Sequence, residues 1–241
     1  MKIGILGTGK VARNSYLPFL AQQGDVELLY CSRTREKAAS CAADFGGRVV
    51  ETPEQLLADD PDAVLVLTHE TQRYAAALAL LEGKPRRLFF EKPLVAAAGQ
   101  ANVSEADFLQ ARELLQRARA AGAETAMVFN YRFFAQTLRA QELVAERAFG
   151  PLTQASLFVN YACWSHCIDL LHLFGGRAAQ IAALSGAIEY KEAVDVAAAF
   201  QMENGATGTI LGTSGSDFNA PLYDVLLNFE QGSIRFRDLD G

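Results

Sequence analysis

Short apolar runs alternate with stretches of helical periodicity through the first half of the chain. Residues 2–7 read as a strand, and residues 10–23 as a helix that stops near Gly24. Val26–Cys31 is a second apolar run, and Thr34 caps a helix over 35–45. Arg48–Glu51 predicts a short strand; Thr52-Pro53 then opens a short helix, with proline suited to the first helical position. A buried strand follows at Ala63–Thr68, a helix over 70–82 closed by Gly83, and a strand at Arg87–Phe90. Ser104 and Asp107 start a helix over 105–121 in the manner of a capping box, and Thr125–Asn130 ends the series. Strands separated by helices of this length predict a doubly wound parallel sheet with right-handed crossovers. The segment Ala96–Val103, small and polar, is the expected mobile loop.

After residue 131 the pattern changes. A helix over 135–147 runs into Gly150-Pro151, a strand follows at Thr153–Tyr161, and a helix at 165–174. Strand-like stretches then crowd together at Ala178–Ser185, Val194–Met202, Ala206–Gly215, Tyr223–Phe229 and Ser233–Arg237. Turns at Glu203-Asn204-Gly205 and Glu230-Gln231-Gly232 read as hairpin connections. The fold class is therefore α/β: an N-terminal doubly wound sheet over 1–122, then an α+β domain on a mostly antiparallel sheet over 123–241. Alternating Leu157, Val159, Tyr161 and Val225, Leu227, Phe229 predict one covered sheet face. Helices or a second copy of the chain can supply that cover, so a homo-oligomer through this sheet is the partner the second half suggests.

Composition narrows the function classes. Half of the 241 residues are hydrophobic and 21% charged, the balance of an ordinary globular protein. A net charge of −6 argues against nucleic acid or an anionic membrane as partner. No apolar run reaches the roughly 18 residues of a membrane span. The N-terminus reads as strand and turn rather than as a signal peptide, so the expected location is cytoplasmic. Cys31, Cys41, Cys163 and Cys167 are expected to be structural thiols. The Cys163-x-x-x-Cys167 spacing is one residue too long for a redox pair, and no second ligand pair supports a metal.

The chemistry begins at Gly7-Thr8-Gly9-Lys10-Val11-Ala12, between the first strand and the first helix. This is the G-x-G-x-x-G/A turn of a dinucleotide-binding βαβ unit in its required setting. Gly7 permits the tight turn, Gly9 lets backbone approach a pyrophosphate, and Ala12 lets helix pack close to strand. The helix N-terminus offers N–H groups and partial positive charge to phosphate. The second strand ends in Cys31-Ser32-Arg33-Thr34-Arg35, with no carboxylate to bind an adenosine ribose. Ser32 and Arg33 instead suit a 2′-phosphate, which favours NADP with NAD as the alternative. Further on, Glu91-Lys92-Pro93 closes a parallel strand, where open α/β sheets bind ligands. A lysine there can polarise a carbonyl or relay a proton, and the following proline disfavours helix at Lys92.

Taken in order, these segments resemble the glucose–fructose oxidoreductase and inositol dehydrogenase family of NAD(P)-dependent oxidoreductases. The resemblance rests on Gly7–Ala12, Ser32-Arg33-x-x-Glu36-Lys37-Ala38, Asp62-Ala-Val-Leu-Val-Leu67, Glu91-Lys92-Pro93-Leu94, Phe129-Asn130-Tyr131-Arg132-Phe133 and His166-x-x-Asp169-Leu170-Leu171. It implies a Rossmann domain, an α+β domain and a small-molecule substrate between them. It also implies hydride transfer between nicotinamide and a CH–OH or C=O carbon of a sugar, polyol or related compound. On that pattern Lys92 and His166 are catalytic, and Thr68, His69 and Glu91 line the nicotinamide side. Asn130, Arg132, Tyr161, Trp164 and Asp169, with Lys92, meet substrate. Arg132 can alternatively form an interdomain salt bridge, and Trp164 can simply pack. Two departures stand out. Many members carry an aspartate four residues before the histidine, where this chain has Ala162. Members also generally run longer, mostly in the second domain. These departures motivate the alternative function, a nucleotide-binding sensor or scaffold without dehydrogenase activity.

Overall fold

The computed structural model describes residues 1–190, 193–215 and 222–239. The chain divides into two compact units, Met1–Val128 and Phe129–Gly241.

The first unit is built on six parallel strands: β1 (Lys2–Leu6), β2 (Glu27–Cys31), β3 (Arg48–Val49), β4 (Ala63–Val66), β5 (Arg87–Phe90) and β6 (Glu124–Met127). Their order is β3-β2-β1-β4-β5-β6, with parallel pairing throughout. This is the doubly wound order whose direction reverses between β1 and β4. The expected boundary after residue 122 falls just before β6. Because β6 pairs with β5 from Arg87↔Glu124 to Phe90↔Met127, it belongs to the first sheet, and the division lies at 128/129.

The helix after β1 differs from a uniform α-helix. Residues 12–16 form a π-helical stretch that runs into α1 (Leu17–Leu20), and the N–H of Leu17 bonds the carbonyl of Ala12. The helices α2 (Arg35–Phe45), α3 (Pro53–Ala58), α4 (Glu70–Glu82) and α5 (Glu105–Ala120) complete the unit. Thr52 Oγ1 caps α3 by accepting the Gln55 N–H at 3.2 Å. Two apolar cores lie in this unit, one around Leu56, Leu80, Leu88 and Leu114, the other around Ile5, Leu17, Leu28 and Tyr30. The expected mobile loop is tethered: Ala96 is buried, and Ala97 N–H donates to Asp107 Oδ1 at 2.7 Å. Asp107 Oδ2 also accepts the backbone N–H of Ser104, the capping relation read from the sequence.

The second unit carries α6 (Ala135–Glu146), β7 (Leu152–Asn160), α7 (Trp164–Gly175), β8 (Ala178–Tyr190), β9 (Ala193–Met202), β10 (Thr207–Thr213), β11 (Tyr223–Phe229) and β12 (Gly232–Phe236). The sheet order is β12-β11-β7-β10-β9-β8. Among the described residues only β7 and β10 pair in parallel; the β9–β10 and β11–β12 hairpins sit at the turns the sequence predicts. Leu157 and Val159 of β7 and Val225 and Leu227 of β11 are buried in one core with Leu170 and Leu171 of α7. The other face leaves Phe158, Leu184 and Leu211 exposed. All four cysteines are buried and unbonded to one another. Burial pushes the Cys31 thiol up to about 11 and holds Cys167 well above the ordinary thiol range. No described helix is long and apolar enough to cross a membrane.

Candidate functional site

The turn after β1 has the geometry a pyrophosphate requires. Gly7 has φ +101°, and a Cβ there would lie 2.8 Å from backbone atoms of Leu67 and Thr68. The turns after β1 and β4 therefore touch, and only glycine fits where they do. A Cβ on Gly9 would meet no protein atom within 4 Å, so the surface beyond it is open. Thr8 is 2% exposed, and among the described residues its Oγ1 has no hydrogen-bond partner; neither has the buried Oγ1 of Thr68. Lys10 and Val11 are exposed, and buried Ala12 packs in the core with Ile5 and Tyr30. The first helical bond runs from Arg13 N–H to Gly9 O at 3.1 Å, leaving the preceding N–H groups at the helix start. An open glycine, orphaned hydroxyls and a helix N-terminus suit a dinucleotide phosphate.

At the end of β2, Ser32 is half-buried and Arg33 and Thr34 are exposed. Arg35 pairs with Glu51, so Arg33 is the freer guanidinium for a ligand. His69 is exposed and caps α4, its Nδ1 lying 3.1 Å from Thr71 Oγ1 and beside Glu70. A capping role thus accounts for this histidine.

The segment after β5 is held from both sides. Glu91 Oε1 accepts the Tyr16 hydroxyl at 2.7 Å, and Glu91 Oε2 accepts the backbone N–H of Lys92 at 3.0 Å. Burial first, then the bond to Glu91, raises the Tyr16 pKa, so the phenol stays a donor. The Glu91 carboxylate thereby shapes its own strand end. On the far side of Lys92, the buried guanidinium of Arg73 donates to the carbonyls of Pro93 and Thr68. The Lys92–Pro93 peptide bond is cis.

The second unit gathers a different set. Asn160 Oδ1 accepts the Ala162 N–H at 2.9 Å and shapes the turn from β7 into α7. His166 and Asp169, three residues apart on α7, are both buried on one helix face. The imidazole of His166 stacks on Tyr131, with centroids 4.2 Å apart and planes at 14°, and meets the edge of Phe129 at 5.9 Å. Tyr131 stacks in turn on Phe134 and points its hydroxyl at Cys163 Sγ. Asp169 takes both arms of the Arg132 guanidinium, Nη2 to Oδ1 at 2.7 Å and Nε to Oδ2. The salt bridge weighed for Arg132 therefore exists, but it lies wholly within the second unit. Trp164 packs its indole against Gly212 of β10, where a Cβ would meet the ring at 3.0 Å. Packing, rather than an open stacking face, is what this ring shows. Tyr161 lies in the short 3₁₀ turn before α7, and Asn130 is exposed.

Two residues missed by the sequence reading, Tyr16 and Arg73, organise the first unit's site. Arg73 did leave a signal: with Ala77 and Leu80 it falls on the buried face of α4, where an unpaired charge is costly. Tyr16 left none, because its aim depends on the π-helical stretch.

The model of the oxidoreductase family with an NAD-binding Rossmann fold matches residues 1–130. The chain belongs to this family, that of glucose–fructose oxidoreductase and the inositol dehydrogenases. No curated protein matches it by sequence. Among solved structures it is similar to the WlbA dehydrogenase of Bordetella pertussis in complex with NADH and UDP-GlcNAcA, at TM-score 0.81 and 19% identity, over 99% of this chain and 74% of that one. It is similar to a myo-inositol dehydrogenase of Corynebacterium glutamicum at TM-score 0.79 and 17% identity, over 98% and 75% of the two chains. A UDP-N-acetylglucosamine 3-dehydrogenase of Acidithiobacillus ferrooxidans gives TM-score 0.77 and 19% identity, over 99% and 74%. At these identities the likeness is one of fold. The chain spans about three quarters of the length of each of these structures.

Proposed function

We propose that this member of the family transfers hydride between a nicotinamide cofactor, with NADP preferred, and a CH–OH or C=O carbon of a sugar, polyol or sugar nucleotide. The observation that carries the reading is Lys92, held at the end of β5 in the same sheet as the Gly7–Ala12 turn. When bound, the nicotinamide supplies the hydride donor or acceptor. The chain's own residues do the rest. Gly7, Gly9 and the helix start receive the pyrophosphate, with Thr8 and Thr68 hydroxyls free to turn toward the ligand. Ser32 and Arg33 receive a 2′-phosphate, since no carboxylate at the end of β2 would repel it.

Lys92 hydrogen-bonds the reacting oxygen and stabilises charge as it develops there. His166, on the family's register, is the proton-transfer partner, its ring fixed by Tyr131. Asn130, Tyr161 and the Arg132–Asp169 pair are the substrate contacts of the second unit; because that pair is internally neutralised, it suits hydroxyls better than a carboxylate. The dehydrogenases of similar fold act on a polyol and on nucleotide sugars, which supports the substrate class. The exposed Phe158, Leu184 and Leu211 on the outer sheet face favour a homo-oligomer through that sheet.

Calorimetric titration with NADPH and with NADH tests the cofactor half. Tighter NADPH binding is expected. Failure of both to bind would reduce the turn to a structural device. Binding without hydride transfer across a polyol, sugar and sugar-nucleotide panel would favour a sensor or scaffold.

A further inference from the structure

Arg73 is 3% exposed, on the inner face of α4. Among the described residues its guanidinium bonds no carboxylate. Nη2 donates to the carbonyl of Thr68 at 2.6 Å, and Nη1 donates to the carbonyl of Pro93. Its Nε is buried and, among the described residues, has no partner. Burial lowers the guanidinium pKa, and the nearby charges of Glu91 and Glu70 offset part of that cost. An apolar side chain would fill the same space more cheaply. What only a planar fork can do is bridge two acceptors from different segments. Those acceptors leave the neighbouring strands β4 and β5, and the second belongs to the residue right after Lys92. The residue before Lys92 is fixed as well, through the bonds of Glu91 to Tyr16 and to the Lys92 N–H.

We propose that Arg73 is a positioning residue: it sets the distance between the β4 and β5 exits and thereby the place of the Lys92 ammonium. Its importance for turnover rests on the catalytic reading of Lys92 given above, whereas the positioning itself does not. A displaced catalytic group loses rate steeply, on the order of 100-fold for a shift of about 1 Å. Arg73→Met should therefore lower kcat on that scale while KM for the nucleotide and NADPH binding hold. Arg73→Lys, which can reach one carbonyl but not two, should recover part of the loss.

The test combines this kinetic split with a readout that needs no substrate. Lysines are reductively methylated with ¹³C-formaldehyde, and the Lys92 methyl signal is assigned by its loss in Lys92→Arg. Leu114→Ala, a core truncation in the same unit, controls for general loosening. The expected result is a Lys92 signal and titration curve that move in Arg73→Met, return toward wild type in Arg73→Lys, and stay put in Leu114→Ala. A Lys92 signal in Arg73→Met that coincides with wild type would overturn the proposal, as would an equal movement in Leu114→Ala. Wild-type turnover in Lys92→Met would instead retire the catalytic reading, with the methyl signal still deciding the positioning.

Discussion

The hydroxyl of Tyr16 donates to Glu91 Oε1 at 2.7 Å, joining the helix of the phosphate turn to the strand end that carries Lys92. Seventy-five residues separate the two, and the bond crosses from the helix after β1 to the exit of β5. The π-helical stretch that ends at Tyr16 belongs to this arrangement, and such stretches often mark functional sites.

Removing that hydroxyl leaves Glu91 with one fewer donor in a half-buried setting. Tyr16→Phe is expected to cost about 1–2 kcal/mol in the first unit, the value of a hydrogen bond to a charged group at partial exposure. Urea unfolding followed by circular dichroism measures this, and nucleotide binding should survive the change.

Cofactor choice should reside in Arg33 rather than Arg35, which is tied to Glu51. Arg33→Ala is expected to weaken NADPH binding roughly 10- to 100-fold, the loss of one or two charge-assisted hydrogen bonds. NADH binding should barely move, and Arg35→Ala should change neither. Titration of the three proteins with both nucleotides separates these outcomes.

The paired bonds between Arg132 and Asp169 knit the 3₁₀ turn at Asn130–Phe133 to α7. The Asp169 side chain is 9% exposed but that of Arg132 is 37% exposed, so solvent screens part of the gain. Asp169→Asn should therefore cost about 1–2 kcal/mol. Fluorescence of Trp164, the single tryptophan, reports unfolding of the unit that holds the pair.

Much of this was legible in the residues. The strand–turn–helix context of Gly7–Ala12 announced its own chemistry, and the apolar alternation of β7 and β11 fixed which face lies inward. The long-range polar bonds were not legible. Nothing local says that Glu91 reaches Tyr16, or that Asp169 spends both oxygens on Arg132. Those partners meet only once the chain has folded, so spacing along the sequence carries no record of them. The contact of His69 with Thr71 at the start of α4 was equally hidden, because a histidine at a strand end does not announce a cap.

Acid should expose the role of Asp107. The N–H of Ala97, then the N–H and hydroxyl of Ser104, hold its carboxyl below the ordinary carboxylate range. A folded pKa below the unfolded one gives stability that is fully present above about pH 4 and lost as pH falls through the folded value. Asp107→Asn should therefore melt below wild type at neutral pH, with the gap closing in acid. Melting curves across that range check the sign, and a gap that widened in acid would contradict it.

The proposed role of Lys92 is to serve hydride transfer on a nicotinamide-binding fold. The most direct measurement follows formation of reduced nicotinamide by wild type and Lys92→Met, with saturating NADP and a panel of polyols, sugars and sugar nucleotides. Turnover by wild type, a loss of several orders of magnitude in Lys92→Met, and equal nucleotide affinity in both are expected. Equal turnover by the two proteins, with nucleotide bound to each, would contradict that role.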